Sequence, residues 1–326
     1  MRVGVVGAGG MGAVHCRHWS AVPGVSLVVF DVDREKRDAL ARANGACVAA
    51  DLEALVDDAD IVDVCVPTDH HVKVACLALS KGKATLVEKP LARTLEDAEK
   101  MAAAAKASGA QLGVGHVVRY FPEYESIKNA VANGAVGTPA AVRLRRGGGL
   151  PRNFDGWFGD QEKSGGVLLD LAVHDFDWIL WALGPVTSVY ARSVSLGQTV
   201  EGAEFRGDYA LATLQLASGA VAHVEATWMD PAGGRTTVEV AGSAGLIEYD
   251  SRTYPTVRTA TSDGTRLEAP NGPGMDPYLR QLQAFHDAVE VGQPAPVGID
   301  DGIAALRVAL AAIESAKSNK TVSISA

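Results

Sequence analysis

Three short stretches of this 326-residue chain hold side chains of a kind and spacing that do chemistry. In the first, Lys89 stands between Glu88 and Pro90. An ammonium there can stabilise negative charge developing on a neighbouring oxygen, and Pro90 restricts the backbone just after it. In the second, Asp170, His174 and Asp177 follow at i, i+4 and i+7, one face of a helix. An imidazole, with an ordinary pKa of about 6.5, can take up and return a proton near neutral pH. Asp170 could orient that ring, pair with Lys89 or accept a hydroxyl, and the sequence leaves all three open. Whether His174 or Lys89 is the proton acceptor is equally open, because burial can lower a lysine pKa into the working range. A metal on Asp170, His174 and Asp177 would need a further ligand, and no other His or Cys cluster stands at a recognisable spacing, so none is expected.

The third stretch is Gly7-Ala8-Gly9-Gly10-Met11-Gly12, placed between a strand pattern and a helix pattern. In that context Gly7 permits a tight turn, Gly9 omits the Cβ that would hold a diphosphate away, and Gly12 lets the helix pack close. Gly10 and Met11 open the helix whose free N–H groups would meet the phosphates. Asp31 closes the next strand, about 20 residues on, where a carboxylate receives the adenosine ribose. A negative charge there favours NAD, while Arg34 keeps NADP open, since it could stack on adenine or meet a 2′-phosphate.

These groups need a frame. From 1 to 118 short β-branched runs (3–6, 26–30, near 47, 61–66, 85–88, 111–114) alternate with helical patterns (11–21, 33–43, 51–56, 69–79, 94–107), which predicts a doubly wound parallel sheet of α/β class. Gly45, Gly82 and Gly109 stand where left-handed terminators belong, and Thr94 with Asp97 resembles a capping box. From 119 to 326 the rhythm changes. Helices are expected at 122–132, 166–183, 277–291 and 300–318. Strands are expected at 140–145, 186–194, 208–216, 221–227, 236–241, 246–249, 257–261 and 321–324, joined mainly by short turns. This predicts a second, α+β domain with a large open antiparallel sheet, its last helix able to pack back on the first domain. Arg143, Arg145 and Arg146 read as the solvated face of a strand.

Composition narrows the partners. Hydrophobic residues make up 47% and charged residues 21%, the range of an ordinary globular protein. A net charge of −9 argues against nucleic acid. No apolar run reaches the ~18 residues of a membrane helix, no leader pattern opens the chain, and four scattered cysteines read as thiols in a reducing compartment, so a cytoplasmic protein is expected.

Val66-Pro67-Thr68-Asp69-His70-His71, Glu88-Lys89-Pro90 and the G-G-x-x-x-D-x-x-x-H pattern from Gly165 to His174 together resemble the glucose-fructose oxidoreductase, inositol dehydrogenase and rhizopine-catabolism family. The likeness spans the chain. It implies a Rossmann domain, a second domain with a large open sheet, and hydride transfer between a nicotinamide and a ring carbinol of a sugar, inositol or related polyol. By the same resemblance Lys89, Asp170 and His174 take the catalytic positions, while Val66, Pro67, Thr68, His71, Glu88 and Lys89 line the cofactor. The stretch from Gly115 to Pro122 resembles the family's crossing between domains, with His116 departing from the apolar, Asn or Gln residue commoner there. Substrate contacts are expected from His116, Arg119, Arg152, Asn153, Trp157 and Asp177, although the aromatic loop 151–158 could equally be an anchor on the second domain. Two other functions stay open within the family: a cofactor-holding regulator without turnover, and an eliminase or epimerase that recycles the nicotinamide in place. Because an open sheet does not leave a broad apolar face to water, a homodimer or homotetramer through the second domain is expected.

Overall fold

In a computed structural model describing residues 1–149, 151, 157–195, 199–200, 203–204, 209–230 and 233–325, the β-branched runs become strands and the helical patterns become helices. The chain divides into Met1–Tyr120 with Asp276–Ile303, and Phe121–Met275 with Ala304–Ala326.

The first unit runs β1 (Arg2–Val6), α1 (Gly10–Trp19), β2 (Ser26–Phe30), α2 (Arg34–Asn44), β3 (Cys47–Val48), α3 (Leu52–Asp58), β4 (Ile61–Val64), α4 (His71–Ser80), β5 (Ala84–Glu88), α5 (Leu95–Ser108) and β6 (Leu112–Gly115). Its six strands pair in parallel in the order β3-β2-β1-β4-β5-β6. β4 and β5 are buried at every position, because helices cover both faces of such a sheet. Gly45 and Gly109 end α2 and α5 in the left-handed region, at φ 63° and 70°, and Thr94 accepts the Asp97 N–H at the start of α5.

The second unit runs α6 (Pro122–Ala132), β7 (Pro139–Gly147), α7 (Gln161–Ser164), α8 (Gly166–Asp170), α9 (Val173–Leu183), β8 (Val186–Val194), β9 (Thr199–Val200), β10 (Ala203–Glu204), β11 (Tyr209–Leu216), β12 (Val221–Thr227), β13 (Arg235–Gly242), β14 (Gly245–Asp250), β15 (Val257–Thr261) and β16 (Gly264–Glu268). After it, α10 (Pro277–Glu290) belongs to the first unit, α11 (Ile299–Ser318) begins in the first and ends in the second, and β17 (Val322–Ser323) closes the chain. Nine strands form one sheet in the order β16-β15-β14-β13-β7-β12-β11-β8-β17. All neighbours are antiparallel except β7 and β12. Those two are distant in sequence, so no hairpin turn dictates their direction. Along β11 and β12 the buried residues alternate, Ala210, Ala212 and Leu214 against Ala222, Val224 and Ala226.

The outward face is more polar than a broad apolar face would be. Arg143 pairs with Glu239, and Arg145 pairs with Glu225 at 2.9 Å, with Leu211 and Tyr190 exposed on the same sheet. Arg146 does not share that face. Successive strand residues point opposite ways, and its guanidinium is turned inward, 2.7 Å from buried Asp175 and donating to the Tyr124 hydroxyl at 3.0 Å.

The helix expected over 166–183 is two helices. The Ala172 N–H reaches back five residues to the Val167 carbonyl at 2.9 Å, a wide turn that ends α8, and the Ala172 carbonyl then starts α9 by accepting from Phe176. Asp170 and His174 therefore sit on separate helices, and the one-face spacing holds only for His174 and Asp177 within α9.

Candidate active site

The glycine turn follows β1 at the point where the sheet order reverses between β1 and β4, the edge at which open α/β sheets take ligands. Its three key glycines do three different jobs. Gly7 has φ 108°, and a Cβ there would lie 2.6 Å from the Cys65 carbonyl oxygen. A Cβ on Gly12 would lie 1.9 Å from the Gly7 carbonyl oxygen, so only hydrogen allows α1 to approach the turn. A Cβ on Gly9 would meet nothing within 4 Å. That open space lies at the N-terminus of α1, where Gly9 offers no side-chain cap and the first backbone donors remain available. A diphosphate fits this chemistry.

Asp31 holds the neighbouring turn together. Its Oδ2 accepts the Ala8 N–H at 2.6 Å and its Oδ1 the Asp33 N–H at 2.7 Å. The cleft beside it is lined by Phe30, Asp31, Val32, Arg34 and Arg37 with Val48 to Ala50; exposed Arg34 and half-buried Arg37, the latter paired with Asp38 at 2.9 Å, are its cations. A carboxylate beside an open glycine turn has the chemistry that a dinucleotide's ribose and diphosphate call for, so the residues present fit that group.

Two further loops leave the same edge of the sheet. After β4, Val66, Pro67 and buried Thr68 lead into α4. After β5 comes Lys89, half-buried, with a cis peptide to Pro90 and its backbone N–H donating to the Glu88 Oε2 at 3.0 Å. His71 ties these two loops to each other. It is buried, with Nε2 2.9 Å from the Val66 carbonyl and Nδ1 3.1 Å from that of Pro90. Burial holds the ring below its ordinary pKa, so the neutral imidazole donates to one carbonyl at a time.

The remaining expected residues divide between the units. In the first, His116 is buried at the end of β6, and Arg119 is buried and paired with Asp301 at 2.9 Å. In the second, Asp170 ends α8 and is buried, His174 lies half-buried in the first turn of α9, and Asp177 is fully buried one turn on. Trp157 is half-buried, edge to face with Phe158 at 4.9 Å between ring centres. Arg152 and Asn153 lie outside the described residues.

Sequence reasoning missed a polar group behind the turn. His15 of α1, Asp63 of β4 and Cys65 bring one possible ligand atom each within 4.8 Å of one another, all buried. Their atoms serve internal bonds: Asp63 Oδ2 lies 2.8 Å from His15 Nδ1 and accepts the Trp19 indole N–H at 2.7 Å. The available signal was a carboxylate in the middle of the otherwise apolar strand Ile61–Val64, since a buried charge is kept only with a partner.

Residues 1–116 match the family described as "Oxidoreductase family, NAD-binding Rossmann fold", and residues 124–248 match the GFO/IDH/MocA C-terminal domain. The chain is 33% identical to a 1,5-anhydro-D-fructose reductase of Ensifer adhaerens, over 99% of this chain and 98% of that protein. It is 30% identical to an inositol 2-dehydrogenase of Rhizobium meliloti, over 99% of both. Among solved structures, GenD2 from gentamicin A biosynthesis, in complex with NAD, superposes with a TM-score of 0.86 at 28% identity, covering all of this chain and 97% of the other. With both domain models matched in order and relatives aligned end to end, the chain belongs to the GFO/IDH/MocA family of oxidoreductases and carries that family's NAD-binding Rossmann fold at its N-terminus.

Proposed function

We propose that the chain oxidises a ring carbinol of a sugar, inositol or related polyol, or reduces the matching ketone, through Lys89, Asp170 and His174. NAD, when bound, supplies the ring carbon that exchanges the hydride. The chain's residues manage the proton and the charge. His174 takes the hydroxyl proton in oxidation and returns it in reduction; Lys89 stabilises the oxygen as it gains alkoxide character; Asp170 orients the reacting pair. Gly7, Gly9, Gly10, Met11 and Gly12 receive the diphosphate, Asp31 with Arg34 the adenosine, and Val66, Pro67, Thr68 and Glu88 the nicotinamide end.

One observation carries this reading: Lys89 follows directly on buried β5, at the same sheet edge as a glycine turn that leaves open space at Gly9. The names of relatives near one-third identity, an anhydro-sugar reductase and an inositol dehydrogenase, support a polyhydroxylated ring as substrate. His174→Ala is expected to lower turnover at least about 100-fold while NADH affinity changes little. The measurement is a screen of sugars and cyclitols, read as absorbance of the reduced nicotinamide, beside a calorimetric NADH titration. Unchanged turnover would remove His174 from the mechanism. Free NADH accumulating with product separates a dehydrogenase from an enzyme that recycles the cofactor in place.

We also infer a homodimer or homotetramer through the sheet of the second unit, in the cytoplasm. Exposed Tyr190, Leu211 and Val194 on that sheet support the first statement, and four free thiols support the second. No helix among the described residues is long and apolar enough to cross a membrane. Light scattering is expected to give two or four times the 33.9 kDa chain mass; a value near one chain mass would refute the assembly.

A further inference from the structure

Behind the glycine turn, a buried polar chain runs from α1 to the end of β5. His15 lies three residues beyond Gly12, with Nδ1 2.8 Å from Asp63 Oδ2 and Nε2 3.1 Å from Glu88 Oε1. Glu88 Oε2 in turn accepts the Lys89 backbone N–H. His15, Asp63 and Trp19 are wholly buried, and Glu88 is 5% exposed. Burial is the largest single influence and disfavours the charged imidazole, yet the electrostatic interactions and hydrogen bonds with Asp63 and Cys65 together hold the His15 pKa well above its ordinary value. A charged ring thus stands between two carboxylates. Its link to Asp63 has hydrogen-bond geometry; its link to Glu88 is an ion pair without good alignment.

The Glu88 carboxylate has little freedom to leave this pairing. On β6, a Cβ at Gly115 would lie 2.7 Å from Glu88 Oε1, so the bare backbone of Gly115 closes one side while His15 holds the other. Asp63, fixed by Trp19, keeps the imidazole from rotating toward any other acceptor. Cys65 adds an Sγ contact to His15 Nδ1 at 3.4 Å, and burial pushes its thiol pKa up, so it is a neutral neighbour. The helix that meets a diphosphate is thereby coupled to the strand end that carries Lys89.

We propose that His15 is a positioning residue: anchored by Asp63 and Trp19, it holds the Glu88 carboxylate, and through it the Glu88-Lys89 backbone, in the place the nicotinamide end of the cofactor requires. The inference rests on the roles given above to Glu88 and Lys89. Hydride transfer is sensitive to such placement, because a misplacement of about 1 Å can cost on the order of 100-fold.

Two near-isosteric variants separate positioning from core filling. The amide of His15→Asn lies where Nδ1 lies, so it satisfies Asp63 and stops short of Glu88. The longer side chain of His15→Gln reaches toward Glu88. The Asn variant is expected to lose about 10-fold or more in kcat, with substrate KM little changed, and to shift the fluorescence emission of bound NADH. The Gln variant is expected to recover most of kcat and the wild-type emission, even where its melting temperature falls as far as that of the Asn variant. Equal losses in both variants, or bound-NADH emission unmoved in both, would overturn the proposal. If Lys89→Met keeps full turnover, the reading of the catalytic site is what fails; the emission comparison still decides the role of His15.

Discussion

Replacing Lys89 by Met is expected to lower kcat by about 1000-fold, the scale on which loss of one preorganised donor to a developing oxyanion is felt. Met has similar length and fills the same half-buried place after β5, and the Lys89 backbone N–H that donates to Glu88 is untouched, so the segment keeps its support. The loss should therefore fall on kcat. Substrate KM and NADH affinity should change by less than about 3-fold, because an interaction made in the transition state alone raises the rate without tightening the ground state. Steady-state kinetics in both directions with an NADH titration check this. A kcat within a few fold of wild type would take Lys89 out of the charge-stabilising role.

Gly12→Ala should damage the first unit from its hinge. The new methyl would sit 1.9 Å from the Gly7 carbonyl oxygen and 2.9 Å from its carbon, both backbone atoms that cannot turn aside. Either α1 lifts from β1 or the turn opens. Overpacking of this kind costs about 3 kcal/mol, and since the displaced parts are those proposed to receive the diphosphate, NADH affinity should fall about 100-fold. Gly9→Ala is the informative contrast. Its methyl would meet no protein atom within 4 Å, so the melting temperature should hardly move, while NADH affinity should still fall because the methyl occupies the space left for phosphate. Equal stability of Gly12→Ala and wild type would show that the turn has slack that its contacts do not suggest.

The first sheet was readable because a parallel sheet buried on both faces leaves a strong trace: mostly apolar, β-branched runs such as Ile61–Val64, broken only by Asp63, and Ala84–Glu88, punctuated by Gly and separated by helical patterns. Helix ends were readable for the same local reason, as at Gly45 and Gly109. The helix across 166–183 was misjudged because the periodicity of Leu, Val, Phe and Trp does not register a single wide turn; every residue from Gly166 to Asp170, and most from Ala172 to Ile179, is buried whichever way the axis points. Arg146 was misjudged because three arginines so close together read as one face, whereas the pleat sends Arg145 to Glu225 and Arg146 to Asp175. His71 shows a different limit of local spacing. The resemblance gave its ring a place along the cofactor, and only the structure shows its contacts with the carbonyls of Val66 and Pro90.

What the amino-acid order determined by itself was everything set by near neighbours: the alternation that makes a doubly wound sheet, the glycines whose missing Cβ atoms shape the turn, and the short motifs that mark the family. Only the tertiary structure decided which charged groups meet inside. His15 with Asp63 and Glu88, Arg146 with Asp175, and Arg119 with Asp301 join residues 29 to 182 positions apart. The physical reason is the cost of burying a charge. That cost is met by a partner wherever the chain brings one, and nothing in local spacing says from which distant strand or helix it will come.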